Sequence, residues 1–393
     1  MFWGQNGQVS IETFLTEYWQ RKPLLIRNAL PGFEDFITPE ELAGLACDED
    51  VESRLVFSTN NQYQVKHGPF REREFTFLSE QDWTLLVQSL DLWCPEVSQL
   101  KSLVNFLPEW RIDDIMLSYA VANGGVGPHF DYYDVFLVQG LGTRHWSVGE
   151  FCDSHTPVET DSGQKILSHF EATEEWTVET GDILYIPAGY SHYGSAVNPS
   201  LCYSIGFRAP SLADTMLDFS QHLADDMTED QRYRDSESFS SPNPGEITPQ
   251  SLTSLKQALV EAMNNESELQ AWFGQYMTEP RIPELIVPNI PQMDSASMLK
   301  LLQETTAIAV LPCSRLAWSS CNGLFRFFAD GASVSVENPG ALLLQLNSLL
   351  HAREFDQPID VDEAMIKDEQ TLSLLTFLYN RGSIELLREL IDD

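Results

Sequence analysis

Two histidines and an aspartate carry the first chemical signal. His129 and Asp131 stand in Pro128-His129-Phe130-Asp131. On a strand, side chains two apart point to one face, so this imidazole and carboxylate can converge on a single ion. The triplet alone is unspecific, because such triplets also arise by chance. What makes it specific is the segment from Gly181 to His192, Gly181-Asp182-Ile183-Leu184-Tyr185-Ile186-Pro187-Ala188-Gly189-Tyr190-Ser191-His192. A Gly-Asp turn, an apolar strand and a Pro-x-Gly reversal would deliver His192 from a neighbouring strand. Two imidazoles and one carboxylate occupy one face of an octahedral metal and leave three positions open. Those positions suit non-haem Fe(II), which needs room for a bidentate cosubstrate and dioxygen, whereas zinc more often takes three or four tighter ligands.

The elements that must hold these residues are legible in outline. Between Leu117 and Phe207 short apolar runs alternate with Gly and Pro: Ile115 to Ala122, Asp134 to Gln139, Thr143 to Val148, Glu175 to Val178, Ile183 to Ile186 and Leu201 to Phe207. Many short strands at this spacing predict a sandwich or barrel. Upstream, Ser10 to Gln20 reads as a capped helix broken before the strand-like Leu24-Leu25-Ile26. Thr38-Pro39-Glu40 opens a second helix, and Asp82 to Ser89 reads as a third. Downstream, Ser211 to Asp226 and Ser251 to Tyr276 are helical, with a Ser/Pro/Gly-rich loop at 235–249 between them, and prolines at 280, 283, 288 and 291 mark a linker. The last hundred residues read as a helix at 295–305, hairpins turning at Asn322-Gly323 and Asp330-Gly331, and helices near 340–350, 361–367, 370–379 and 383–391, a winged-helix-like mix.

The two triad segments, the opening Phe14-Leu15-Thr16-Glu17-Tyr18-Trp19 helix, the run Val135 to Trp146 and the closing Gly206-Phe207-Arg208-Ala209-Pro210 together resemble the JmjC branch of cupin-fold 2-oxoglutarate oxygenases. Over essentially its full length the chain is similar to the bacterial ribosomal oxygenases of that branch, which hydroxylate an arginine of large-subunit ribosomal protein L sixteen. The resemblance implies an α+β chain: a double-stranded β-helix (cupin, jelly-roll) catalytic domain at 1–212, a helical dimerisation domain at 213–285 and a winged-helix-like domain at 286–393. It makes His129, Asp131 and His192 the iron ligands, with Arg144 and Ser118 on the distal carboxylate of 2-oxoglutarate. It implies Fe(II), 2-oxoglutarate and O2 as cofactors, succinate and CO2 as by-products, and a homodimer. Tyr133, on the same face as His129, and Asp134 are candidate substrate contacts, and the pair Asp113-Asp114 could meet a guanidinium. Gly124-Gly125-Val126-Gly127 lacks the Lys-Ser/Thr of a phosphate loop and reads instead as a flexible loop at the pocket mouth.

Charge narrows the partner. The 393 residues carry 59 acids against 23 Lys and Arg, a net −36. Residues up to 212 hold 30 acids and 12 bases and the rest hold 29 and 11, so each part carries −18. This is an acidic body with no acidic tail; it repels phosphate, which argues against DNA and anionic membrane and for a basic polypeptide. The winged-helix-like part follows suit, its bases being few, scattered and outnumbered by acids (Lys300, Arg315, Arg326, Arg353, Lys367, Arg381, Arg388). Six dispersed cysteines, a polar N-terminus and no apolar run of about 20 residues fit a soluble, cytoplasmic protein. Two other readings fit the same residues: a JmjC enzyme acting on histidine or demethylating lysine of another basic protein, and an acidic ribosomal-protein chaperone with a vestigial metal site.

Overall fold

The computed structural model describes residues 2–3, 9–59, 62–160, 165–235, 243–321, 323–336, 358–361 and 363–387. They pack as two compact units that divide between Ala209 and Pro210.

In the first unit the strands are β1 (Leu24–Ile26), β2 (Ser53–Thr59), β3 (Gln62–His67), β4 (Trp83–Val87), β5 (Ile112–Ala120), β6 (Val135–Gln139), β7 (Arg144–Phe151), β8 (Ala172–Val178), β9 (Ile183–Ile186), β10 (Tyr190–Ala196) and β11 (Ser200–Phe207). Eight of them form a sheet in the order β1-β9-β6-β11-β5-β4-β2-β3, and three form a smaller sheet in the order β8-β7-β10, every pairing antiparallel. This is a two-sheet jelly-roll.

Alternation along the strands sorts their side chains into two layers. Leu201, Tyr203, Ile205 and Phe207 of β11 join Ile115 and Leu117 of β5 in the largest core, on the outside of the sheet. There the N-terminal helical turns cover them. Ser10 caps the first turn through a bond from the Thr13 amide, and Phe14, fully buried, packs edge-on against Tyr185 at 5.0 Å between ring centroids. Helix α1 (Pro39–Leu45) opens with a capping box between Thr38 and Glu41, proline taking the first helical position where no amide is needed. The inward layer is divided between two smaller clusters, one around Leu137, Trp146 and Leu184, the other around Val56, Tyr63 and Leu86.

The expected third helix at Asp82 to Ser89 is strand β4. All five of its residues are buried and it lies between β5 and β2, so no face is left for polar residues and the alternation that signals a strand is absent. Strands β2 and β3 add to the expected set, β3 alternating Tyr63 and Val65 with Gln62, Gln64 and Lys66, while β10 is the neighbouring strand expected to deliver His192.

The second unit holds α2 (Leu212–Asp225), α3 (Pro249–Met263), α4 (Glu266–Thr278), α5 (Ser295–Leu302), α6 (Glu363–Lys367) and α7 (Glu369–Arg381), a sheet of β12 (Ala307–Val310) between β16 (Ile359–Asp360) and β17 (Ile384–Leu387), and a meander of β13 (Leu316–Cys321), β14 (Leu324–Ala329) and β15 (Ala332–Val336). The single helix expected at 251–276 is two, because Asn264 closes α3 and the Asn265 side chain caps the start of α4. Helix α4 lies on the meander, with Gly274 placed so close to Phe328 that a Cβ would sit 2.2 Å from the ring. The helix expected at 383–391 begins as strand β17: Gly382, at φ +78°, ends α7, and Ile384 to Leu387 pairs with β12. Its last residues, the helix expected near 340–350 and Asn322 lie outside the described residues; Gly323 and Asp330-Gly331 stand at the expected turns with positive φ.

Candidate metal and cosubstrate site

His129, Asp131 and His192 form the one cluster of three or more metal-ligating side chains among the described residues. Asp131 Oδ2 lies 3.8 Å from His129 Nε2 and 3.7 Å from His192 Nε2. The backbone sets this spacing. His129 and His192 exchange amide-to-carbonyl bonds of 3.0 and 2.8 Å, and the Gly189 amide donates to the Asp131 carbonyl at 2.7 Å. His129 sits in an isolated bridge and not in a continuous strand, so cross-chain bonds to β10 replace the strand geometry expected from the triplet.

Each imidazole is oriented by its other nitrogen. Nδ1 of His129 bonds the Gly127 carbonyl and Nδ1 of His192 the Tyr190 carbonyl, both at 2.9 Å. The proton then rests on Nδ1, and both Nε2 lone pairs turn toward Asp131. Burial, with His129 alongside as a second cause, lowers the His192 pKa to about 4, so this ring is neutral near pH 7 as a ligand must be. Two neutral nitrogens and one carboxylate oxygen on one side of a common point suit a divalent transition metal with open positions.

Arg144, at the start of β7, is buried, and burial holds its pKa below the usual guanidinium range. Its Nη1 donates to the Ser118 hydroxyl at 2.8 Å, Nη2 to the Ser118 and Ser200 carbonyls at 2.8 and 3.2 Å, and Nε to the Ser200 hydroxyl at 3.0 Å. No carboxylate among the described residues pairs with it. A buried cation surrounded by neutral acceptors lacks a counter-charge, and an anionic ligand supplies one. Between Arg144 and the triad, the Trp146 indole N–H is buried without an acceptor. A cation without a carboxylate partner and an orphaned donor on the smaller sheet, with the Ser118 and Ser200 hydroxyls of the larger sheet beside them, fit a small dicarboxylate reaching toward a metal.

Of the other expected contacts, Tyr133 is 42% exposed. Burial of its hydroxyl end and the neighbouring Asp131 carboxylate raise its pKa. Asp134 is a correction. It is 1% exposed, accepts from the Tyr185 hydroxyl at 2.7 Å and Gln20 at 3.1 Å, and lies 3.9 Å from Arg111. One residue beyond Tyr133, it falls on the opposite face, where these donors occupy its oxygens. Asp114 accepts from Gln88 and Ser89, and Asp113 lies 3.9 Å from Arg208. The glycine segment is a second correction: it is packed and not a flexible loop. A Cβ would meet the Trp83 carbonyl at 2.2 Å from Gly124, the Gly194 carbonyl at 2.5 Å from Gly125 and Ile166 at 2.7 Å from Gly127. Ser200, Trp146 and the Gly127 and Tyr190 carbonyls were missed. For Trp146 the signal was present, since it stands two residues from Arg144 on the same strand face.

An anion site and an ion site facing one another inside a jelly-roll define the class: a metal-binding 2-oxoglutarate oxygenase of the JmjC type. The comparisons are specific. A JmjC domain matches residues 99–215 and a ROXA-like winged helix matches residues 261–385. The chain is 33% identical over 372 residues to the ribosomal protein uL16 3-hydroxylase of Escherichia coli K12, covering 94% of this chain and 95% of that protein. It is 38% identical over 311 residues to the probable ribosomal oxygenase of Haemophilus influenzae, covering 76% of each. The solved structure of the Escherichia coli ribosomal oxygenase YcfD in complex with cobalt and 2-oxoglutarate superimposes with a TM-score of 0.81 at 31% identity, over 96% of this chain and 98% of that one. The chain belongs to the JmjC-domain ribosomal oxygenases.

Proposed function

We propose that this protein hydroxylates an arginine side chain of ribosomal protein uL16, with Fe(II) at the His129, Asp131 and His192 cluster and 2-oxoglutarate as cosubstrate. The observation that carries this reading is the pairing of that cluster with the uncompensated Arg144, in a chain alike over nearly its whole length to a uL16 3-hydroxylase. Bound iron and 2-oxoglutarate supply the oxidising chemistry, in which dioxygen is reduced, the 2-oxo acid is converted to succinate and CO2, and a C–H bond becomes C–OH.

The chain's own residues hold, orient and enclose. Arg144 and Ser118 grip the distal carboxylate with a fork of donors. The carbonyls of Gly127 and Tyr190 keep both imidazoles in the ligating tautomer. Val135, Leu137, Val148, Leu184 and Ile186 wall the interior with apolar surface and exclude water. Tyr133, exposed beside Asp131, offers a ring face on which a guanidinium can stack.

The organisation proposed is a catalytic part at 1–212, a helical dimerisation part at 213–285 and a winged-helix-like docking part at 286–393. This division is by role, since α4 packs with the meander. For dimerisation, Leu252, Leu255, Leu259 and Met263 form an exposed apolar stripe along α3, at helical spacing. No helix among the described residues is long and apolar enough to cross a membrane, and we place the protein in the cytoplasm with its ribosomal substrate.

Purified protein incubated with Fe(II), 2-oxoglutarate and uL16 should add 16 Da to one uL16 arginine and release succinate, by intact-mass and peptide mass spectrometry. Oxygen added to histidine instead, loss of a methyl mass from lysine, or binding of uL16 without turnover would each overturn the assignment.

A further inference from the structure

Trp146 stands between the two halves of the site. The inward side chains of β7 are Arg144, Trp146 and Val148, and their partners across on β10 are Ala196, Gly194 and His192 in the same order. A ligand reaching from the Arg144 guanidinium to an ion at His192 therefore passes the Trp146–Gly194 rung. At that rung Gly194 has no side chain because the six-membered ring of the indole lies over it; a Cβ would be 2.7 to 2.8 Å from Cη2, Cζ2 and Cζ3. The indole is 6% exposed, and its centroid is 6.1 Å from that of His192. Its Nε1–H has no acceptor among the described residues, and its neighbours Val135, Leu137, Val178, Leu184 and Ile186 have no polar side-chain atom to offer. Buried donors are rarely left unpaired, because dehydration is then uncompensated.

We propose that Trp146 Nε1–H donates a hydrogen bond to bound 2-oxoglutarate. It is a third side-chain donor after Arg144 and Ser118, and Gly194 holds the ring flat against β10 so that the passage stays open. This inference rests on the cosubstrate reading above. It predicts two separable effects. Trp146→Phe removes the donor while keeping an aromatic wall. Gly194→Ala lifts the ring into the passage.

The test uses the full-length protein loaded with Zn(II), labelled with nitrogen-15 at its tryptophan indoles and titrated with 2-oxoglutarate. The Trp146 resonance is assigned by its loss in Trp146→Phe or, if that variant does not fold, by its displacement when paramagnetic Co(II) replaces Zn(II). On saturation the Trp146 indole proton should move downfield and exchange more slowly with solvent. By calorimetry Trp146→Phe should bind 2-oxoglutarate about tenfold more weakly, the scale of one hydrogen bond to a charged group. Its metal affinity should be unchanged, a split that a merely structural role would not produce. An unmoved Trp146 resonance while 2-oxoglutarate demonstrably binds would overturn the inference and leave the cosubstrate reading standing. Equal binding by a folded Trp146→Phe would do the same. Failure of the wild-type protein to bind 2-oxoglutarate at all would remove the reading itself.

Discussion

Arg144 donates to Ser118 twice, from Nη1 to the hydroxyl and from Nη2 to the backbone carbonyl, each at 2.8 Å. The two residues come from different sheets, β7 and β5, so this fork ties the walls of the jelly-roll together and aims a buried cation into it.

The fork's planarity gives the first prediction. Arg144→Lys keeps the charge and loses the bidentate geometry, so the KM for 2-oxoglutarate should rise roughly 10- to 100-fold, corresponding to about 1.5 to 3 kcal/mol. The kcat at saturating cosubstrate should fall far less. Initial rates of succinate release across a 2-oxoglutarate series check this, and an unchanged KM would remove Arg144 from the cosubstrate site.

The cluster itself predicts a sharper loss. Asp131→Ala and His192→Ala should each abolish turnover and stoichiometric Co(II) binding by calorimetry, since each removes one of three ligands. Chelation of the wild-type protein should abolish activity, and Fe(II) should restore it. Turnover surviving in Asp131→Ala would refute the metal assignment.

Gly127 links backbone conformation to ligand orientation. It adopts φ +85°, a Cβ would sit 2.7 Å from Ile166, and its carbonyl holds His129 Nδ1. Gly127→Ala should destabilise the fold by about 1 to 3 kcal/mol and weaken metal binding roughly 10- to 100-fold. Urea titration measures the first and calorimetry with Co(II) the second. Wild-type metal affinity in this variant would show that the carbonyl does not orient the ring.

The charge of −36 predicts a salt effect specific to the protein substrate. Attraction between an acidic enzyme and a basic ribosomal protein is screened over a Debye length of about 8 Å at physiological ionic strength. The KM for uL16 should therefore climb steeply between low and high salt. The KM for 2-oxoglutarate, whose partners are buried, should change little. A salt-insensitive uL16 KM would leave the charge without this role.

The apolar stripe of α3 predicts the oligomeric state. Leu255→Glu combined with Leu259→Glu places two charges on it and should convert a dimer to monomer in sedimentation velocity without unfolding the helix. A wild-type protein that sediments as a monomer would refute the proposed dimerisation part.

The triad was legible in the sequence because strand periodicity and the Gly/Pro punctuation around Ile183 to Ile186 are local signals, and the JmjC resemblance extended them to Arg144 and Ser118. The N-terminal caps at Ser10 and Thr38 were legible for the same reason, each being satisfied within four residues. Strand β4 was not, because burial on both faces erases the alternation that distinguishes a strand from a helix.

By itself, then, the sequence determined which side chains could ligate, what charge surrounds them and where most of the short strands between Ile115 and Phe207 lie, all of which depend on residue type and near neighbours. Tertiary structure decided what those side chains face. It turned Asp134 away to Tyr185 and Gln20, pressed the glycine segment against Trp83 and Tyr63, paired Arg144 with Ser118 and Ser200, and left the Trp146 N–H without a partner between cation and metal site. These are contacts between residues tens to more than a hundred positions apart, created by strand register and sheet packing, and no local pattern in a single chain encodes them.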